Sequence, residues 1–243
     1  MARIHVVIPA RFASTRLPGK PLLEIAGRAM VLHVFDRATE AAVGDVTIAT
    51  DDRRVAEVCE AGGARAVMTR DEHASGTDRI AEVAAAAGWA GEDIVINVQG
   101  DEPDLPPECI RQLAKAMHEG HAMATLATPV LTASEFEDPG VVKVVCDANG
   151  CALYFSRAGI PVDRDEGGFG SAYRHIGLYA YTVATLRQLT QEAPCAPERM
   201  EQLEQLRALY HGIRIRVLKA AAVPHRGVDT ERDLDAVRKR MDA

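Results

Sequence analysis

Between residues 4 and 98, four short apolar runs (4–8, 46–49, 64–68 and 93–98) alternate with stretches whose apolar residues recur at helical spacing. That alternation leaves few folds open: it predicts parallel βαβ units. Val31, Val34, Phe35, Ala38 and Ala42 make one helical face, and a second helix at 54–61 is stopped by Gly62-Gly63. Thr77 is the expected N-cap of a helix over 78–87 ended by Gly88, and Pro107 opens one reaching residue 119. Ligands of such sheets collect beyond the C-terminal strand ends. Segments 10–20 and 99–104 follow two of these ends.

After residue 120 the texture changes. Strands are predicted at 122–128, 141–146, 152–155, 176–181 and 213–218, with an Asn149-Gly150 hairpin turn and helices at 200–209 and 231–241. Antiparallel hairpins added to a parallel sheet imply a mixed, mainly parallel α/β architecture with an antiparallel lobe at about 125–215. No repeat or linker divides the chain, so residues 1–243 read as a single domain.

The chain carries 28 Lys and Arg against 35 Asp and Glu, a net charge of −7. That balance argues against nucleic acid or an anionic membrane as a partner, and any polyanion must meet a local basic cluster. The five cysteines form no CxxC pair, which argues against zinc and a disulfide framework. No apolar run approaches the ~20 residues that span a bilayer, and residues 1–9 lack the apolar core of a secretory leader. The expectation is a cytoplasmic protein without membrane insertion.

The densest chemical signal is residues 9–22, Pro-Ala-Arg-Phe-Ala-Ser-Thr-Arg-Leu-Pro-Gly-Lys-Pro-Leu. Three cations, two hydroxyls and small residues on a loop after a strand suit a polyphosphate cradle. It is neither GxxxxGK[ST] nor GxGxxG. Gly100-Asp101 closes the run at 93–98, where a carboxylate can bind Mg²⁺ together with phosphate oxygens. Asp229 could complete such a site or merely start the last helix. Ser75-Gly76-Thr77-Asp78-Arg79 opens a helix and could read a base or a phosphate, or serve only as a cap.

The segment 8–22 strongly resembles the 3-deoxy-manno-octulosonate (Kdo) cytidylyltransferases, or CMP-Kdo synthetases. The likeness continues through Ser75-Gly76-Thr77-Asp78-Arg79, Asn97-Val98-Gln99-Gly100-Asp101-Glu102-Pro103, Arg174-His175-Ile176-Gly177-Leu178-Tyr179, Leu203-Glu204-Gln205-Leu206-Arg207 and Gly227-Val228-Asp229-Thr230. It implies a Rossmann-like nucleotidyltransferase fold, a homodimer, and Mg²⁺-assisted in-line attack of the Kdo anomeric hydroxyl on the CTP α-phosphate, feeding lipopolysaccharide synthesis. On matching positions it implies that Ala10, Arg11, Ser14 and Lys20 hold the triphosphate. Ser75, Gly76, Arg79 and Gln99 would contact the cytidine, and Asp101 and Asp229 would bind Mg²⁺. Arg157, His175, Tyr179, Glu204 and Gln205 would hold Kdo. Arg11, Lys20, Asp101 and Asp229 are thus the expected catalytic group. Residues 1–124 and 216–243 would form the nucleotide part, and 125–215 the sugar-binding and dimerisation lobe. Val162 stands where many relatives carry an aromatic residue. A sialic-acid or sugar-phosphate nucleotidyltransferase is the nearest alternative; a nucleotide-sensing module would be expected to lose Lys20, Asp101 or Asp229.

Overall fold

The structure is a computed structural model that describes residues 2–13, 17–165 and 168–241. Its first half runs β1 (Ile4–Pro9), a hairpin of β2 (Glu24–Ile25) and β3 (Arg28–Ala29), α1 (Met30–Glu40), β4 (Asp45–Thr50), α2 (Arg53–Ala61), β5 (Arg65–Met68), α3 (Gly76–Ala86), β6 (Ile94–Asn97) and α4 (Pro107–His118). The second half adds β7 (Met123–Pro129), α5 (Ala133–Glu137), β8 (Lys143–Cys146), β9 (Ala152–Ser156), β10 (Tyr173–Thr182), α6 (Val183–Gln191), α7 (Ala196–Glu201), α8 (Gln205–Tyr210), β11 (Ile215–Lys219) and α9 (Glu231–Met241).

One sheet has the order β11-β7-β10-β6-β1-β4-β5, with β8 and β9 attached beside β10. β1 pairs in parallel with β4 and β6, β4 with β5, and β11 with β7. β10 lies antiparallel between β6 and β7, so it alone is reversed along that path. Strand alternation explains the two cores. Val6 and Ile8 pack one face with Ile48, Ile96, Ile110 and Leu113, while Val7 packs the other with Ile80, Val95, Phe155 and Leu186. A third cluster seats α9, through Val228, Leu234 and Val237, on Leu17, Ile25 and Met30. The reversed strand brings the start of β10 to the same edge as the ends of β1, β4 and β6.

Several expectations need correction. Ser75, not Thr77, caps α3: its hydroxyl accepts the Asp78 N–H at 3.1 Å, so the helix begins at Gly76. The helix expected over 200–209 is two helices, broken at Gln202, whose φ is +52°. The break has a chemical cause. Arg157 Nε and Nη2 donate to the carbonyls of Glu201 and Gln202, at 2.6 and 3.3 Å, turning them away from the amides a continuous helix would use. α1 ends before Ala42, which adopts φ +52°. β10 starts earlier than expected, at Tyr173, and α5, α6, the first turn of α7 and the β2–β3 hairpin were not anticipated.

Candidate active site

The predicted nucleotide residues converge on one cavity of about 270 Å³ at the C-terminal edge of β1 and β6. Ala10, Arg11 and Lys20 line it from the first loop, Ser75, Gly76 and Arg79 from the start of α3, and Gln99 and Asp101 from the end of β6. Close backbone approach makes this possible. A Cβ on Gly100 would stand 2.8 Å from the Pro9 carbonyl oxygen, so only glycine lets the chain leave β6 this near β1. The first turn of α3 supplies the amides and positive dipole end that suit an anion. Ser14 lies outside the described residues.

Lys20 closes one end of the cavity. Its Nζ lies 2.6 Å from Asp101 Oδ2, 3.1 Å from Asp229 Oδ1 and 2.7 Å from the Val228 carbonyl. Asp229 reaches this point because the Val228 N–H donates to the Asp101 carbonyl at 2.8 Å and Val228 is buried with α9. Three oxygens therefore surround one cation, an oxygen-only donor set of the kind hard divalent metals take alongside phosphate oxygens. Among the described residues no cluster of three or more metal-ligating side chains exists. A metal here would draw on the two carboxylates and the substrate.

Two further cavities adjoin the first. One of about 170 Å³ shares Gly76 and Gln99 with it and is lined by Tyr179, Glu204 and Gln205. Burial raises the Glu204 carboxyl above its ordinary value, opposed by the nearby Thr77 and Ser75 hydroxyls. The Tyr179 hydroxyl, pushed well up by burial, has no partner among the described residues. The other cavity, about 670 Å³, shares Asp101 and Asp229 and includes His175, Arg174 and Glu102. Burial pushes the His175 imidazole down to about 3, so it is neutral at physiological pH. Its Nε2 lies 3.0 Å from Thr125 Oγ1, and its ring meets Phe155 edge-on. Burial, then the charges of Asp101 and Asp104, pushes the Glu102 carboxyl up to about 8.

Arg157 stands apart from all three cavities. Besides Glu201 and Gln202 its guanidinium holds the Pro139 carbonyl, at 3.0 Å, so it fastens the turn that presents Glu204 and Gln205. Sequence reasoning missed Asp51, which joins the first loop to Arg79. The adjacent acidic residues Asp51-Asp52 after a strand were the available signal. Glu102 and Arg174, which both line the cavity of about 670 Å³, stand in the motifs of the resemblance without an assigned role.

A Rossmann-like sheet with an anion cradle and paired carboxylates at its C-terminal edge defines a nucleotidyltransferase. Residues 5–215 match the cytidylyltransferase family. Proteins named 3-deoxy-manno-octulosonate cytidylyltransferase from Thioalkalivibrio sulfidiphilus and Pseudomonas fluorescens are 52% and 50% identical, each over 98% of both chains. A solved CMP:2-keto-3-deoxy-manno-octonic acid synthetase complexed with CTP superposes with a TM-score of 0.93 at 42% identity, covering 99% of each chain. A solved 4-diphosphocytidyl-2C-methyl-D-erythritol synthase, at 14% identity and a TM-score of 0.65 over 98% of each chain, shares the fold. The chain belongs to the 3-deoxy-manno-octulosonate cytidylyltransferase family.

Proposed function

We propose that this chain joins CTP to Kdo, giving CMP-Kdo and pyrophosphate, at the site built around Lys20, Asp101 and Asp229. The anomeric hydroxyl of Kdo attacks the α-phosphorus, the bond to the β-phosphate oxygen breaks, and pyrophosphate leaves. The hydroxyl proton passes to solvent or to the departing phosphate. No protein nucleophile is needed, and the work is positioning and charge neutralisation.

The observation that carries this reading is the Lys20 ammonium held by two carboxylates beside a cradle of cations and amides. Arg11 and the first-turn amides of α3 bind the triphosphate; Ser75, Gly76 and Gln99 face the nucleoside. Asp101 and Asp229 hold Mg²⁺, which when bound offsets phosphate charge and makes the attacking hydroxyl more acidic. Tyr179, Glu204 and Gln205 receive the sugar acid, with His175 as a neutral wall and Arg157 holding the turn behind them. The nucleotide part then draws on residues 1–124 and 216–243, and the acceptor side on 125–215. A cytoplasmic homodimer is the assembly that the family resemblance implies. No helix among the described residues is long and apolar enough to cross a membrane.

The deciding assay measures pyrophosphate release from each of the four nucleoside triphosphates, with and without Kdo and Mg²⁺. Release only with CTP, Kdo and metal together is the expected result. Equal release from CTP when a sugar 1-phosphate or a sialic acid stands in for Kdo would replace the acceptor.

A further inference from the structure

The two adjacent carboxylates that follow β4 do different things. Asp52 caps α2, its Oδ1 accepting the Arg54 N–H at 2.9 Å. Asp51 turns the other way. Its Oδ1 accepts the Phe12 N–H at 3.1 Å, and its Oδ2 accepts Arg79 Nη2 at 2.7 Å. The Arg79 and Asp51 side chains are only 3% and 12% exposed, so solvent screens this pair weakly. Arg79 Nη1 donates further to the Thr69 hydroxyl and, at 3.2 Å, to the Arg70 carbonyl. Thr69 is itself tied to the end of β4: its hydroxyl and N–H donate to the Thr50 carbonyl at 3.0 and 2.8 Å.

Phe12 is where the first loop is gripped. Its N–H goes to Asp51, its carbonyl accepts the Gly19 N–H at 3.2 Å, and its ring lies under the Arg54 guanidinium at 3.7 Å. Arg11 precedes this anchor, and Lys20 follows the Gly19 contact. α3, carrying the Ser75 cap and the anion-facing amides, holds the other end through Arg79. One carboxylate thus spans the two halves of the nucleotide cradle.

We propose that Asp51 is a positioning residue for the nucleotide, setting the spacing between the loop that carries Arg11 and Lys20 and the N-terminus of α3. Arg79 is then the strut through which Asp51 acts, with three N–H groups engaged by the protein before any nucleotide binds. The inference rests on the function proposed above. It differs from plain compensation of a buried arginine charge, which would affect stability alone.

Steady-state kinetics of Asp51→Asn, varying CTP and Kdo separately, tests it. Loss of spacing should raise the CTP KM about tenfold, on the scale of a sub-ångström misplacement, and leave the Kdo KM within about twofold. The rise in melting temperature that CTP induces should shrink in parallel, a readout independent of turnover. Thr182→Ala, which removes the cap of α6 at the opposite edge of the sheet, should lower the melting temperature and leave both KM values unchanged. A folded Asp51→Asn protein with a wild-type CTP KM overturns the inference. If that variant does not fold, Thr69→Val decides: a CTP KM raised about threefold supports the strut, and an unchanged one refutes it. A wild-type protein that releases no pyrophosphate from CTP and Kdo would overturn the proposed function instead, with the CTP-induced melting shifts still deciding the role of Asp51.

Discussion

The ammonium of Lys20 and the carboxylate of Asp101 are 2.6 Å apart, although 81 residues separate them in the chain. Asp229 Oδ1 lies 3.1 Å from the same ammonium. On the proposed reading, Lys20 and a bound divalent cation would draw on the same two carboxylates, and nucleotide binding would offer the lysine a new anionic partner. Lys20→Met should cut turnover by roughly 10²-fold, the scale of losing one transition-state donor. Without nucleotide, the same variant should bind Mn²⁺ more tightly than the wild type. Electron paramagnetic resonance titration reads this directly, and weaker binding would contradict shared occupancy.

Asp101→Asn should abolish metal-dependent turnover while leaving the sheet intact. Because the carboxylate also neutralises Lys20, far-ultraviolet circular dichroism must accompany the assay. A folded variant with an unchanged metal requirement would remove Asp101 from the cation seat.

The half-buried His175 makes a prediction about acid stability. Its folded-state value, about 3, lies below the ordinary 6.5 of an unfolded histidine. Between those values the unfolded chain binds the proton and the folded protein does not, so stability rises with pH across this window and falls on acidification from 6.5 toward 3. From pH 7 to pH 5 the loss from this residue is about 2 kcal/mol. Denaturant melts of His175→Gln should show a correspondingly shallower loss over that interval; identical slopes would mean the imidazole is already accessible to protons.

Gly100→Ala places a methyl group 2.8 Å from the Pro9 carbonyl oxygen, against backbone that cannot swing aside. The strain should cost on the order of 1–3 kcal/mol and spread β1 from the loop after β6. Lower melting temperature together with weaker CTP binding is expected. A neutral outcome would show that the edge is looser than its packing indicates.

Arg157→Ala removes the donor for two carbonyls of the α7–α8 turn and for the Pro139 carbonyl that ties this side chain to the segment before β8. Glu204 and Gln205 lose their fixed placement, so the Kdo KM should rise while the CTP KM holds. Collapse of CTP affinity instead would mean that the turn supports both sides of the site.

The parallel core was legible because β-branched runs, helical spacing and Gly or Pro punctuation are local signals. Val6, Val7 and Ile8 announce a strand buried on both faces, and Pro107 a helix start, without knowledge of the rest of the chain. The split between α7 and α8 was hidden because its cause is a guanidinium more than forty residues upstream. Lys20 and Asp229 could each be suspected, but their contact depends on α9 packing against Leu17 and Ile25, a tertiary event with no periodic signature. Asp51 was passed over for a similar reason: nothing in an Asp-Asp pair tells which carboxylate caps its own helix and which reaches across the molecule.

The backward course of β10 has a consequence for how such a molecule can diversify. On the proposed reading, acceptor-facing groups hang from a strand of opposite polarity and from the helices after it, while the triphosphate grip belongs to the forward strands and the first turn of α3. Among the described residues, only Gly76 and Gln99 border both the first cavity and the Tyr179 cavity, and only Asp101 and Asp229 border both the first cavity and the His175 cavity. Mutational drift among the groups proposed to face the sugar would therefore retune acceptor choice without dismantling the phosphate grip, provided those four border positions stay fixed.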